Sequence, residues 1–185
     1  MPANSAPLIP VVIGVTGHRN IRKEDEQPLY AAVCAQLRAL RAHCPSSAIT
    51  VLSSLAEGAD QLCARAAVDE GCALVVPLPF AKTRYVEHFS KEGKQSFDEL
   101  LALAAHSFVV EPIEQPPVDA GDGFYYRQAG MFIAAHSHAL MALWDGVEYL
   151  SEDGGGTFET VRFMLEGGAF SPSQNDAYFL PQANG

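Results

Sequence analysis

Short apolar runs rich in β-branched residues alternate with amphipathic stretches along nearly the whole chain, and few folds satisfy that alternation. Residues 8–16 form the first run, with Pro10 near its start, and lead directly into Gly17-His18-Arg19-Asn20. Residues 27–43 place Leu29, Ala32, Val33, Leu37 and Leu40 on one face and predict a helix, which Cys44-Pro45-Ser46-Ser47 ends. A second strand is predicted at 48–52, then a turn over 53–60 and a helix through Glu70, closed by Gly71. A third strand follows at 72–78. Helices are predicted at 83–89 and 97–105, separated by a charged turn around Lys91-Glu92-Gly93-Lys94. A fourth strand covers 107–111, a loop 113–124, a helix 125–137 and a fifth strand 139–144. The pattern ends with a helix from Thr157 to Glu166, stopped by Gly167-Gly168, and a sixth strand could form at 177–180.

Strict alternation implies a parallel sheet of five to six strands covered by helices on both faces. Right-handed crossovers make this an α/β, doubly wound, Rossmann-like fold. At 185 residues the chain reads as one domain, with a core over about 8–168 and a tail from 169 to 185. Ligands in such sheets bind beyond the carboxyl ends of the strands. There lie Gly17 to Asn20, Ser53 to Asp60, Pro79-Phe80, Trp144-Asp145-Gly146 and Gly154 to Thr157.

The last of these turns, Asp153-Gly154-Gly155-Gly156-Thr157, opens a helix whose apolar positions are Phe158, Val161, Met164 and Leu165. A helix N-terminus carries unpaired N–H groups and the positive end of the dipole, and glycine lets a ligand approach the backbone. The arrangement suits a phosphate or ribose-phosphate cradle, and equally a plain loop before a helix.

Net charge is −10 and the isoelectric point about 4.9, which disfavours non-specific duplex binding. No stretch is long and apolar enough to predict a membrane span, and residues 1–7 lack the pattern of a signal peptide. Cys34, Cys44, Cys63 and Cys72 form no CxxC pair and read as reduced packing residues of a cytoplasmic protein. His136 and His138, two apart, do not share a helical face, and no metal site or cofactor is expected.

Taken in order, Thr16-Gly17-His18-Arg19, Ser53 to Asp60, Tyr126-Arg127 with Met131, Trp144-Asp145-Gly146 and Gly155-Gly156-Thr157 resemble the motifs of the SLOG superfamily. This superfamily of Rossmann-like nucleotide-binding domains includes the Lonely Guy (LOG) phosphoribohydrolases, the DprA/Smf DNA-processing proteins and the N-terminal regions of TRPM channels. Ser54-Leu55-Ala56-Glu57-Gly58-Ala59-Asp60 resembles the SGLAxGID segment of DprA. The stretch from Arg127 to Ala139 resembles the RKxxMxxxSDA segment of LOG enzymes, with Arg127 on the catalytic arginine. Gly155-Gly156-Thr157 resembles part of PGGxGTxxE. The chain also departs from LOG. Thr160 occupies the position of the essential glutamate, Glu159 stands one residue early, and Gln128 replaces the lysine. A one-residue shift turns a helical side chain by about 100°. The departures favour retained ligand binding over LOG-type catalysis.

The resemblance implies a nucleotide or nucleotide-derived ligand held by Gly17, His18, Arg19, Ser53, Ser54, Glu57, Gly58, Asp60, Arg127, Gly155, Gly156 and Thr157. Candidate catalytic groups are Arg127 and Glu159, should the chain cleave an N-glycosidic bond of a nucleoside monophosphate as LOG enzymes do. Each residue also has a plainer role: Thr157 as helix cap, Glu159 as complement to the dipole, Glu57 and Asp60 as helix-opening acids; Tyr125, Tyr126 and Phe80 suit stacking on a base and core packing equally, and Trp144 reads as core. The resemblance further implies a homodimer. A nucleic-acid partner is disfavoured by the acidic charge.

Overall fold

The computed structural model describes residues 9–113, 115–148 and 155–166. Strands β1 (Val11–Gly17), β2 (Ile49–Leu52), β3 (Ala73–Leu78), β4 (His106–Val109) and β5 (Ala139–Leu143) form one parallel sheet in the order β4-β3-β2-β1-β5. The chain steps outward from β1 to β4, then returns past β1 to add β5 on its far side. The winding therefore reverses between β1 and β5. Helices α1 (Lys23–His43), α2 (Ala59–Asp69), the single-turn α3 (Lys82–Tyr85) and α4 (Lys91–Leu103) accompany the outward steps; α2 packs against both α1 and α4. Helices α5 (Asp122–Ala135) and α6 (Thr157–Glu166) accompany the return and pack on each other. With right-handed crossovers the two groups cover opposite faces of the sheet. This is the Rossmann-like α/β fold that the alternation implies.

The core lies between the sheet and the first group of helices. Val15, Leu37, Val51, Leu74, Phe97 and Leu100 are all essentially inaccessible there. Cys34, Cys63 and Cys72 are buried packing residues, and Cys44 is half-buried. His138 is structural: its Nδ1 accepts the Val12 N–H at 2.9 Å beside the start of β5. His136 stacks on Phe132, with ring centroids 4.0 Å apart.

Several boundaries differ from the sequence reading for identifiable reasons. The charged segment around Lys91-Glu92-Gly93-Lys94 is the first turn of α4 rather than a separating turn. Ser90 caps it, its hydroxyl accepting the Gly93 N–H at 2.9 Å, and burial of Phe97 and Leu100 carries the helix. Helix α1 begins at Lys23, with Glu24, Asp25 and Glu26 in its first turn complementing the dipole, and it accommodates Pro28 in its second turn. Helix α5 starts at Asp122, just after Gly121. Strand β1 begins at Val11, because Pro10 has no N–H to give the ladder. The predicted strand at 177–180, Gly167-Gly168, Asp153 and Gly154 lie outside the described residues.

Gly17 closes β1 where no larger residue fits. A Cβ there would collide with the Ala59 methyl and stand 2.6 Å from the Leu143 carbonyl oxygen. Gly17→Val is expected to destabilise the protein by roughly 1–3 kcal/mol or more through overpacking, read as a lowered midpoint of urea unfolding.

Candidate functional site

A cleft of about 370 Å³ opens at the carboxyl ends of β1 and β5, where the winding reverses. The turn after β1 supplies Thr16, Gly17, His18 and Arg19; the turn after β2 supplies Ser54, Ala56 and Asp60. Tyr126, Ala129, Gly130 and Ile133 come from α5. Trp144 and Val147 follow β5, and Gly155, Gly156, Thr157 and Phe158 belong to the start of α6.

The first two turns cross in backbone contact. Gly58 has φ 84°, and a Cβ on it would lie 2.6 Å from the His18 carbonyl oxygen. That same carbonyl accepts the Ala59 N–H at 3.0 Å. Within the second turn Leu55 is fully buried with φ 58°, a left-handed conformation that costs a bulky residue on the order of 1–3 kcal/mol. Its surroundings hold it there. Its N–H donates to Ser53 Oγ at 3.2 Å, and its carbonyl accepts Gln61 Nε2 at 3.2 Å. Gln61 Nε2 also reaches the Gly93 carbonyl at 3.0 Å, and Ser54 Oγ donates to the Pro77 carbonyl at 2.7 Å.

The turn thus built encloses Asp60. The Ser53 hydroxyl donates to the Asp60 backbone carbonyl at 3.2 Å, and the nearby N–H groups of Ala56 and Ser54, the Ser53 hydroxyl and the Arg19 charge favour the ionised carboxyl. Burial outweighs these stabilising contacts and pushes its pKa up to about 7. Arg19 itself lies with its guanidinium 5.1 Å from the centre of the Tyr126 ring. His18 Nε2 lies 3.1 Å from Asp145 Oδ1. The Asp145 carboxyl is held below its usual range by the Val147 N–H and then by His18.

The glycine turn is fastened to α5. Gly155 has φ 81°, and a Cβ there would meet the Arg127 backbone nitrogen at 2.8 Å and the Gly123 carbonyl oxygen at 2.9 Å. Its N–H donates to Glu159 Oε2 at 2.5 Å, while Glu159 Oε1 pairs with Arg127 Nε at 2.9 Å. Both side chains are more than nine-tenths buried. Glu159 thus reaches back past the helix start much as a capping-box glutamate does. Trp144 stacks on Phe158 at 5.9 Å and 24°.

Of the residues singled out in the sequence, Gly17, His18, Arg19, Ser54, Asp60, Gly155, Gly156 and Thr157 are brought together around the cleft. Five others are not among its lining residues. Ser53 is buried inside its turn, Gly58 sits at the backbone crossing, and Arg127 and Glu159 pair with each other. Glu57 instead anchors α4, accepting the Ser90 N–H at 3.0 Å and the Ser90 hydroxyl at 2.6 Å. Sequence reasoning missed Phe158 and Val147 as cleft residues. Phe158 keeps helical spacing with Val161, which reads as a buried face, yet as the second residue of α6 it turns toward Trp144. Among the described residues, no three His, Cys, Asp or Glu side chains gather as metal ligands, and no helix is long and apolar enough to cross a membrane.

Neither a protein-family model nor a curated protein matches the sequence. DprA shares the fold. The structure of DNA processing protein A from Streptococcus pneumoniae aligns over 85% of this chain with a TM-score of 0.54 and 16% identity. The chain spans 47% of the DprA chain. At that identity the likeness establishes the Rossmann-like architecture and leaves function to the site.

Two measurements probe this geometry. In an unfolded chain Asp60 ionises near pH 4. Between that value and about 7 the folded protein holds a proton that the unfolded chain has released, so stability falls as pH rises through this window. Asp60→Asn should remove a pH-dependent term on the order of 4 kcal/mol, seen by comparing its melting temperature with that of the wild type from pH 4 to pH 8. Glu159→Gln leaves the buried Arg127 charge facing a neutral amide and should cost about 3 kcal/mol in chemical denaturation.

Proposed function

We propose that the chain is a SLOG-type domain that binds an anionic, nucleotide-derived ligand in this cleft, as a binding or sensor domain. The observation that carries the reading is the chemistry converging where the winding reverses. Arg19, which forms no ion pair among the described residues, shares the cleft with the aromatic faces of Tyr126 and Trp144 and with the N-terminus of α6. A cation and a helix terminus suit a phosphate, and aromatic faces suit a base. The ordered motifs and the fold shared with DprA support the same family.

Binding is favoured over glycosidic cleavage by the placement of Glu159. Hydrolysis at a ribosyl centre needs a carboxylate facing the ligand. Glu159 spends its two oxygens on Gly155 and Arg127. A role on DNA is disfavoured by the net charge of −10. A homodimer is part of the proposal, and sedimentation at micromolar concentration tests it.

Calorimetric titration with AMP, ADP and a dinucleotide tests the ligand class, and Trp144, the sole tryptophan, gives a fluorescence readout inside the cleft. Micromolar to millimolar binding is expected. Arg19→Ala should weaken it about ten- to a hundred-fold, and folded Gly156→Val should impair it without removing charge. Absence of binding by all three nucleotides would overturn the reading. Release of free base from AMP, lost in Glu159→Gln, would replace it with the hydrolase.

A further inference from the structure

Arg19 and Asp60 enter the cleft from different turns, and the pairing has a consequence for how an anion is received. Arg19 lines the cleft with its guanidinium against the Tyr126 ring. Asp60 is buried on the cleft wall, enclosed by the second turn, and senses the Arg19 charge. An incoming anion would engage the nearby guanidinium, whose charge favours the ionised form of Asp60. It would then face an ionised carboxylate with nowhere to move, because Leu55, Ser53 and Gln61 fix the turn.

We propose that Arg19 and Asp60 form an anion-recognition pair in which an anion seated on Arg19 is accepted together with a solvent proton on Asp60. The proton adds to a carboxylate oxygen of Asp60; no other bond changes. This rests on the cleft being the ligand site, as in the proposed function, but requires only that the ligand be anionic. Burial already brings the carboxyl to about 7, so the proton is available at neutral pH. The other titratable or charged groups around Asp60 do not serve instead. Cys63 and Tyr85 are pushed up by burial, beyond the neutral range. Glu57 is bonded to Ser90, and Tyr126 lies against Arg19. His18 is engaged with Asp145 in the neighbouring wall and is separated from Asp60 in the test by its own variant.

The probe is inorganic sulfate, a dianion throughout pH 5.5–8.5, titrated calorimetrically at constant ionic strength in two buffers of different ionisation enthalpy. The expected result is uptake of a fraction of one proton per sulfate near pH 7, with affinity falling about tenfold as pH rises from 5.5 to 8.5, the equivalent of one pK unit of coupling. Asp60→Asn should bind sulfate with neither proton uptake nor that pH dependence, Arg19→Gln should lose binding, and in His18→Gln the proton uptake per sulfate bound should persist whatever the change in affinity. If Asp60→Asn does not fold, the wild-type uptake and the Arg19→Gln titration still decide. No sulfate binding at any pH, binding without proton uptake, or an unchanged slope in folded Asp60→Asn would overturn the proposal. The two readings separate cleanly. Proton-coupled sulfate binding with no nucleotide bound removes the nucleotide reading alone. Nucleotide binding that is independent of pH and of Asp60 removes this one alone.

Discussion

The backbone crossing between the turns after β1 and β2 is the contact on which the cleft depends. His18 and Arg19 pass so close to Gly58 that no side chain fits between them, and the Ala59 N–H is bonded to the His18 carbonyl. Gly17 repeats the constraint one step earlier, against Ala59 and the end of β5. The start of α2 is thereby pulled under the mouth of β1. That places Asp60, its second residue, on the wall of the cleft instead of in solvent, where helix-opening acids usually stand.

The opposite wall is held differently. There α6 meets α5 through small residues and a buried charge pair. Gly130 leaves room for the Thr160 side chain, and Gly155 lies against the backbone of α5. Glu159 then satisfies a glycine-turn N–H and the Arg127 charge at once. Removing both charges could prove harmless, whereas removing one alone takes this counter-charge from the other. The pair therefore fixes the position of the α6 terminus, which lines the cleft through Gly156 and Thr157.

The strands and most helices were legible because burial writes itself into periodicity: Val11–Gly17, Ile49–Leu52 and Ala73–Leu78 are buried on both faces and read as continuous apolar runs. The first turn of α4 was not legible. Its charges face solvent, and its cap depends on Glu57, far away in sequence, which bonds Ser90 from the turn after β2. Within the site, glycines and turns announced the cleft edge, since close approach leaves a mark in residue type. The direction of each side chain left none. Glu57 and Asp60 stand three apart in one acidic, glycine-containing turn, yet one anchors the cap of α4 and the other lines the cleft. Arg127 matched a motif and Glu159 stood one residue from its place, but their orientation is decided by packing between α5 and α6.

The strained turn at Leu55 connects these observations. A left-handed leucine is an unfavourable way to make a corner, and glycine would make it at lower cost. Leucine instead fills the core beneath the sheet edge, being fully buried, and thereby removes the freedom the corner would otherwise have. The N–H groups of Ser54 and Ala56 consequently lie near Asp60, where they favour its ionised form. In many phosphate-binding turns such N–H groups face the ligand. In this turn they lie beside an internal carboxyl, so the proposed anion site draws on Arg19 and the α6 terminus instead. The second turn contributes shape and, under the proposed coupling, the carboxyl that takes the proton, and one buried side chain in an unfavourable backbone conformation fixes it in place.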